Sequence, residues 1–265
     1  MKPIYIESIG VLAPGLVGWP QARAVLAGDA AYAATPLAPL KPARLAPDVR
    51  RRTTDHIRIA VEVASEATQA LGERTRELAS VFASAESDGA ITHDICQEVA
   101  KDDPHVSPTR FHNSVNNAPA GYWCMAIGSQ APSTSVAGYD GTVAVGLIES
   151  ALQLLTDTSR VLLVVHDTPL PEPLHGVRPF SAIFGAAFVL TATPSPNSLA
   201  RLDIEIVEGA SDTPMDRPDL EILRAGNPAA RVLPLLAAIA RRGKNRIHLP
   251  YLFCRTLAVR TETMS

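Results

Sequence analysis

The chain has 265 residues, with 24 basic and 27 acidic side chains for a net charge of −3, enough for one large domain and too balanced to leave a nucleic-acid footprint or a basic membrane-surface patch. Its three cysteines, Cys96, Cys124 and Cys254, are far apart and form no CxxC pair, which argues against a disulfide framework or a structural zinc site. No apolar run approaches the ~20 residues of a membrane span, and the opening MKPIYIESIG carries Glu7 inside its apolar stretch, so it does not read as a signal peptide; a reducing, cytoplasmic setting is expected.

In chain order, Lys2 to Leu12 alternates loosely and reads as a strand, turned by Pro14, Gly15 and Gly18. Pro20 to Ala27 is a short helix closed by Gly28. The stretch from Ala34 to Pro47, punctuated by Pro36, Pro39 and Pro42, is a surface loop. The run Arg50-Arg51-Arg52 reads as a solvated loop ahead of a helix rather than an anion site. Thr53 or Thr54 caps that helix, whose apolar residues Ile57, Ala60, Val61, Ala64, Ala67 and Leu71 recur at three and four; Gly72 ends it.

Leu78 to Ala85 is a buried strand, Gly89 to Val99 a helix, and Asp102 to Pro108 a break. Ala118 to Ile127 is helical with Pro119 in its first turn. Ser133 to Ala137 is a strand entering a tight turn, and Gly141 to Leu155 the helix leaving it. Val161 to Val165 is wholly apolar and interior. Pro169 to Pro179 is loop; Phe184 to Thr191 and Leu202 to Val207 are strands, with turns at Ser195 to Asn197 and Gly209 to Pro218. Ala229 to Arg241 is a helix interrupted by Pro234, and Ile247 to Cys254 with Thr256 to Val259 close as a strand pair. The order defines an α/β fold with an apolar parallel or mixed sheet.

The helix after the turn is unusual. At 100° per residue, Val143, Ala144, Val145, Leu147, Ile148, Ala151, Leu152, Leu154 and Leu155 cover roughly 200° of its circumference. A surface helix needs about half of that, so this one is expected to be buried centrally, between two sheets or between a sheet and a partner.

The segment Val106 to Gly121, V-S-P-T-R-F-H-N-S-V-N-N-A-P-A-G, is similar to the approach to the active site in β-ketoacyl synthases. Asn117, Ala120 and Gly121 match the N-x-x-A-G of that family, and Gly128 and Pro132 match its G-x-x-G-P in part, with Ala131 for the second glycine. Ala137, Gly138 and Gly141 fall on the alanine, cysteine and glycine of its A-C-x-S-G turn. I-Y-I-E-S-I-G-V-L-A-P-G resembles the first strand and turn, A-V-L-A-G-D the end of the first helix, and Arg178 to Leu190 a shortened R-P-F region. The resemblance implies a thiolase-like half-fold, a mixed sheet with a buried central helix, over residues 1–195, with residues 196–265 as a C-terminal extension packed on the same domain.

Two departures bear on function. The nucleophile position is Gly138, and a glycine cannot carry an acyl group as a thioester. The H-G-T-x-T and G-H-x-x-G-A motifs are not found; His175-Gly176 precedes the R-P-F region and His248 matches neither. The resemblance therefore implies a chain-length-factor-like subunit without condensing activity alone. It would act with an active ketosynthase subunit or a second copy of itself through Ser133, Thr134, Ser135, Val136 and Ala137, and serve an acyl carrier protein in polyketide, aryl-polyene-type or fatty acid biosynthesis. No cofactor or metal is expected. A diverged acyltransferase or thioester hydrolase is the enzymatic alternative, although no G-x-S-x-G is present; a stand-alone acyl-binding module is another.

The candidate binding residues are Tyr139, Asp140, Phe111, His112 and Asn117. Tyr139 either plugs an acyl channel or packs in the core. Asp140 either lines a residual pocket or caps the following helix. Phe111, His112, Asn113, Asn116 and Asn117 contact a substrate or partner, or bond loop backbone; His105 and His112 are poorly spaced for a metal. Cys124 reads as a small buried residue. His166-Asp167 ends an apolar strand, where a loop hydrogen bond or a ligand contact is expected.

Overall fold

The computed structural model describes residues 2–156 and 158–264; Met1 of the opening stretch lies outside them. Nine strands among these residues form one mixed sheet: β1 (Ile4–Ala13), β2 (Leu16–Val17), β3 (Ala79–Ala83), β4 (Ser133–Val136), β5 (Arg160–Asp167), β6 (Phe184–Thr191), β7 (Ala200–Glu208), β8 (Lys244–Pro250) and β9 (Arg255–Thr263). The helices are α1 (Trp19–Ala27), α2 (Pro47–Arg50), α3 (Asp55–Ala67), α4 (Gly89–Val99), α5 (Pro108–Asn113), α6 (Ala118–Ile127), α7 (Thr142–Leu155), α8 (Leu174–Val177), α9 (Pro218–Ala225) and α10 (Leu233–Arg241).

The strand order is β4-β3-β5-β6-β1-β7-β9-β8, with β2 hairpinned onto β1. β3 runs parallel to β4 and β5, and every later pairing is antiparallel. β3, β5 and β6 are buried along almost their whole length, as their unbroken apolar runs require when helices cover both faces. On one face, α3 and α6 set Ile57, Val61 and Trp123 against Phe82, Leu162 and Val189. On the other, α1, α7 and α10 share a core with Val81, Leu163 and Phe188 and with Ile204, Leu249 and Val259 of the far strands.

The helix α7 touches β3 and β5 on one side and β8 on another. β5 and β8 are five positions apart in the sheet, roughly 24 Å at ~4.8 Å per strand, more than twice the ~10 Å width of a helix. The sheet must therefore curl around α7. The curl sits at β1–β7, where only Ile4–Ile6 and Ala200–Leu202 pair before the strands diverge. Residues from 196 onward thus add β7, β8 and β9 to the same sheet.

Several elements differ from the sequence reading. α3 stops at Ala67, short of Gly72; a 3-10 segment follows, and Gly72 at φ 54 turns the chain inside it. Pro234 starts α10 rather than interrupting it, since in a first turn its missing N–H costs nothing. α8 lies in the stretch read as loop, and α5 and α9 start at Pro108 and Pro218, the last residues of the break and the turn, and run on through residues to which no element was assigned. α9 carried a signal, Pro218 with Asp219 and Glu221 in its first turn. Tyr251 to Cys254 is the turn between β8 and β9, not strand. Gly28 closes α1 as expected, at φ 94 with its N–H turned back to Val25.

Candidate functional site

The elbow joins β4 to α7. Gly138 has φ −153, outside the left-handed region, so its conformation does not demand glycine. Space does: a Cβ there would lie 2.6 Å from Val145 Cγ2. The turn itself falls on Tyr139, held at φ 53, a left-handed conformation uncommon outside glycine. Thr142 fixes it, donating its hydroxyl to the Tyr139 carbonyl (2.7 Å) and accepting from the Gly138 N–H (3.0 Å). Gly141 lets Tyr251 pass overhead; a Cβ at 141 would collide with the Tyr251 carbonyl. Gly146 seats α7 on the sheet against Leu163 and Ala83.

The sequence alternatives for Tyr139 and Asp140 resolve differently from what was expected. Tyr139 does not pack in the core: it is 62% exposed, and the Arg178 guanidinium stacks 3.5 Å from its ring centroid. Asp140 makes no cap. Two arginines draw its carboxylate away from the helix terminus, Arg178 at 3.2 Å and Arg231 at 3.3 Å, and Thr142 does the local bonding instead. Arg178 also pairs with Glu86 at 2.5 Å, and Arg224 binds Asp212 and Glu221. Each charge here meets an opposite one, so the cluster pins the elbow to neighbouring loops and leaves no arginine free for an anion.

Gly138, Tyr139, Asp140 and Gly141 form one wall of a groove of about 780 Å³; Leu252 and Phe253 of the β8–β9 turn form another. Phe253 is 96% exposed. Among the described residues no histidine lines the groove, so no imidazole stands ready to act on a bound acyl group there. Phe111, His112 and Asn117 do not line it. They are exposed on α5 and at the start of α6, while Asn113 is buried, bonding the Arg52 carbonyl and accepting from Tyr122. Asn116 accepts from Ser87.

Around the elbow the surface is open in a particular way. β4 is the end strand of the sheet, bonded only to β3, so its outer backbone edge is unpaired. Ser133 and Ala137 are exposed, and Thr134, Ser135 and Val136 half-buried. On α7 the buried arc runs through Val143, Leu147, Ala151 and Leu154. Val145 and Ile148 are half-buried, and Leu152 and Leu155 are 47% and 44% exposed. These four apolar residues form the second stripe of the wide arc, and among the described residues nothing covers it fully. On α6, Met125 is 59% exposed.

Sequence reasoning missed a buried cluster below the elbow. His166 is not a loop contact: it is enclosed against His56, the ring centroids 4.5 Å apart. Burial lowers His56 to about 4 against the pull of Asp88, and burial together with His56 holds His166 well below the ordinary range. Asp167 does make the loop bonds, accepting from Ser84 Oγ and the Ala85 N–H at 2.9 Å; burial nevertheless pushes it up to about 7. His56 follows the N-terminus of α3, and no motif in the sequence links it to His166.

The signs of these shifts give a prediction. Between about pH 4 and 6.5 the unfolded chain protonates both histidines while the folded chain protonates neither, which destabilises the fold as pH falls. Asp167 acts oppositely, holding in the folded state a proton the unfolded chain lacks. The net is one extra proton on the unfolded chain, so these groups should make stability rise with pH by up to about 1.4 kcal/mol per unit near pH 5. Urea midpoints from pH 4.5 to 7 check this; His166→Phe should flatten the slope, and an unchanged slope would refute the assignment.

Cys124 is half-buried and burial raises its thiol, making it a poor nucleophile. Cys96, Cys124 and Cys254 are all free. Among the described residues no helix is long and apolar enough to cross a membrane, and no group of three histidine, cysteine, aspartate or glutamate residues is arranged to hold a metal.

The sequence profile described as "Beta-ketoacyl synthase, N-terminal domain" matches residues 19–241. The chain belongs to that family. No curated protein sequence matches it. Among solved structures it resembles a chain of the ketosynthase ApeO in complex with its chain length factor ApeC from Xenorhabdus doucetiae, with a TM-score of 0.74, 19% identity and 98% of each chain covered. It also resembles the ishigamide ketosynthase/chain length factor, with a TM-score of 0.75, 12% identity and complete coverage of both chains. Against the ketosynthase from module 6 of the bacillaene synthase of Bacillus subtilis 168 the TM-score is 0.56 at 12% identity, covering 83% of this chain and 43% of that one. At these identities the structural likeness establishes the fold.

Proposed function

We propose that this chain is a non-catalytic, chain-length-factor-like subunit that works beside an active β-ketoacyl synthase, in a cytoplasmic pathway making polyketide, aryl-polyene-type or fatty acyl products on an acyl carrier protein. The observation that carries the proposal is the elbow itself. The turn of an acyl-transfer site is present, but its nucleophile position is Gly138, and Val145 occupies the space a side chain would need. The contribution is then by shape and association. The free edge of β4 and the apolar stripe of α7 supply the face for the partner synthase, or for a second copy. Tyr139, Asp140 and the Leu252–Phe253 turn shape the groove beside that face; Phe111, His112 and Asn117, exposed on α5 and at the start of α6 and outside the groove, offer a separate contact for a partner.

The test is co-expression with active β-ketoacyl synthases of the same source organism. Co-purification and a change in product length are expected, with no condensation by this chain alone. Equal product lengths with and without it would overturn the proposal. Gly138→Cys is expected to leave the isolated chain unable to retain an acyl group from a thioester donor, because Val145 crowds the sulfur and no groove imidazole activates it. A stable acyl adduct on the introduced thiol, seen by intact-mass spectrometry of that variant and not of the parent chain, would contradict this.

A further inference from the structure

A cleft of about 750 Å³ lies between the proline-rich strap of residues 31–41 and α9, and shares no lining residue with the elbow groove. Tyr32, Leu37, Leu40, Ile183, Ile222 and Leu223 supply its apolar wall. Its volume lies in the ~300–1,000 Å³ range of small-molecule sites.

The polar groups of the wall are already engaged. Tyr32 donates its hydroxyl to the Pro14 carbonyl (3.0 Å) and Ser181 donates to the Gly226 carbonyl (3.3 Å). Arg58 donates to the Arg50 carbonyl (3.0 Å) and pairs with Asp55 (3.2 Å). Asp219 pairs with Arg217 (2.9 Å) and accepts from the Leu220 N–H (2.8 Å). A charged ligand would find no free counter-charge and would lose its hydration on entry. The wall's neutrality therefore selects an uncharged occupant.

Its shape selects an extended one. A second cleft of about 610 Å³ lies on the other side of the strap, and Pro36, Leu37, Ala38, Pro39 and Leu40 line both. Gln21, Lys41 and Glu62 also line the second cleft, so the neutral wall belongs to the first. The strap's prolines cannot donate backbone hydrogen bonds, and it is held by the Gly15 N–H to the Thr35 carbonyl (3.1 Å) and by the buried Leu40. The strap borders the first cleft from Tyr32 to Leu40, a length that suits an extended occupant.

We infer that the first cleft is a binding site for a single uncharged hydrocarbon chain of the fatty-acyl class, lying against the strap. The inference is independent of the function proposed for the elbow. Titration of the full chain with the uncharged dye Nile red should saturate at one site, and decan-1-ol should displace it. Ile222→Glu, at a position 69% exposed, and Leu37→Glu should each weaken binding at least tenfold with the thermal midpoint retained. Phe253→Glu in the elbow groove and Leu155→Glu on α7 should leave it unchanged. If Leu37→Glu unfolds the chain, Ile222→Glu decides alone. Non-saturating dye uptake, failure of decanol to compete, or loss of binding in Phe253→Glu or Leu155→Glu with retention in Ile222→Glu would overturn the assignment. A change in sedimentation on Ile222→Glu with dye binding intact would also overturn it, giving the cleft to a second copy.

Discussion

Changing Leu152 and Leu155 together to lysine is expected to weaken capture of the partner synthase about a hundredfold, roughly 2.7 kcal/mol, while the chain stays folded. Both side chains already stand in solvent at 47% and 44% exposure, and exposed helix positions tolerate substitution within about 0.5 kcal/mol. Cations also suit the last turn of a helix, where Leu155 sits. The cost appears only on association, when two ammonium groups must leave water against a partner's apolar surface. Val145 and Ile148, half-buried on the same stripe, set the direction in which a partner must approach. Surface plasmon resonance against the ketosynthase that the co-expression test identifies, with thermal melting as the folding control, reads both effects. Unchanged affinity in a folded double variant would remove α7 from the interface.

Adding a single methyl group at Gly141 is expected to cost about 3 kcal/mol, the upper range for an overpacked site. The backbone there, φ −89 and ψ 9, suits alanine, so conformation is not the obstacle. The obstruction is the backbone of Tyr251, whose carbonyl and Cα stand where the Cβ would go, and backbone cannot rotate aside as a side chain can. Gly141→Ala should therefore push the β8–β9 turn off the elbow and widen the groove. Gly121, exposed inside α6, has nothing within 4 Å of the corresponding position; Gly121→Ala should stabilise by roughly 0.4–1 kcal/mol through the unfolded chain. Chemical denaturation of the two variants separates the cases, and equal effects would mean that contact with Tyr251 is not what limits residue 141.

The physics of individual segments is visible in the sequence where local pattern decides the outcome. The apolar run Phe184 to Thr191 is β6 to the residue, because a strand covered on both faces needs no alternation. The wide apolar arc of α7 announced a helix with two contact faces. Boundaries were less legible: the apolar periodicity of α3 runs on to Leu71, and nothing in it shows that the α-helix gives way to a 3-10 segment after Ala67.

The amino-acid sequence by itself determined the α/β class and the family through the ordered Asn117-to-Gly141 motifs, and placed a glycine, Gly138, where the resemblance puts the family's nucleophile, since these depend on residue identity and short-range spacing. Only the tertiary structure decided that Asp140 serves Arg178 and Arg231 rather than the helix end, that His56 meets His166, that Phe111 and His112 stand apart from the elbow groove, and that the strap spans two clefts. Those contacts join residues tens to more than a hundred positions apart. They follow from how the strands and helices assemble, which no local pattern encodes.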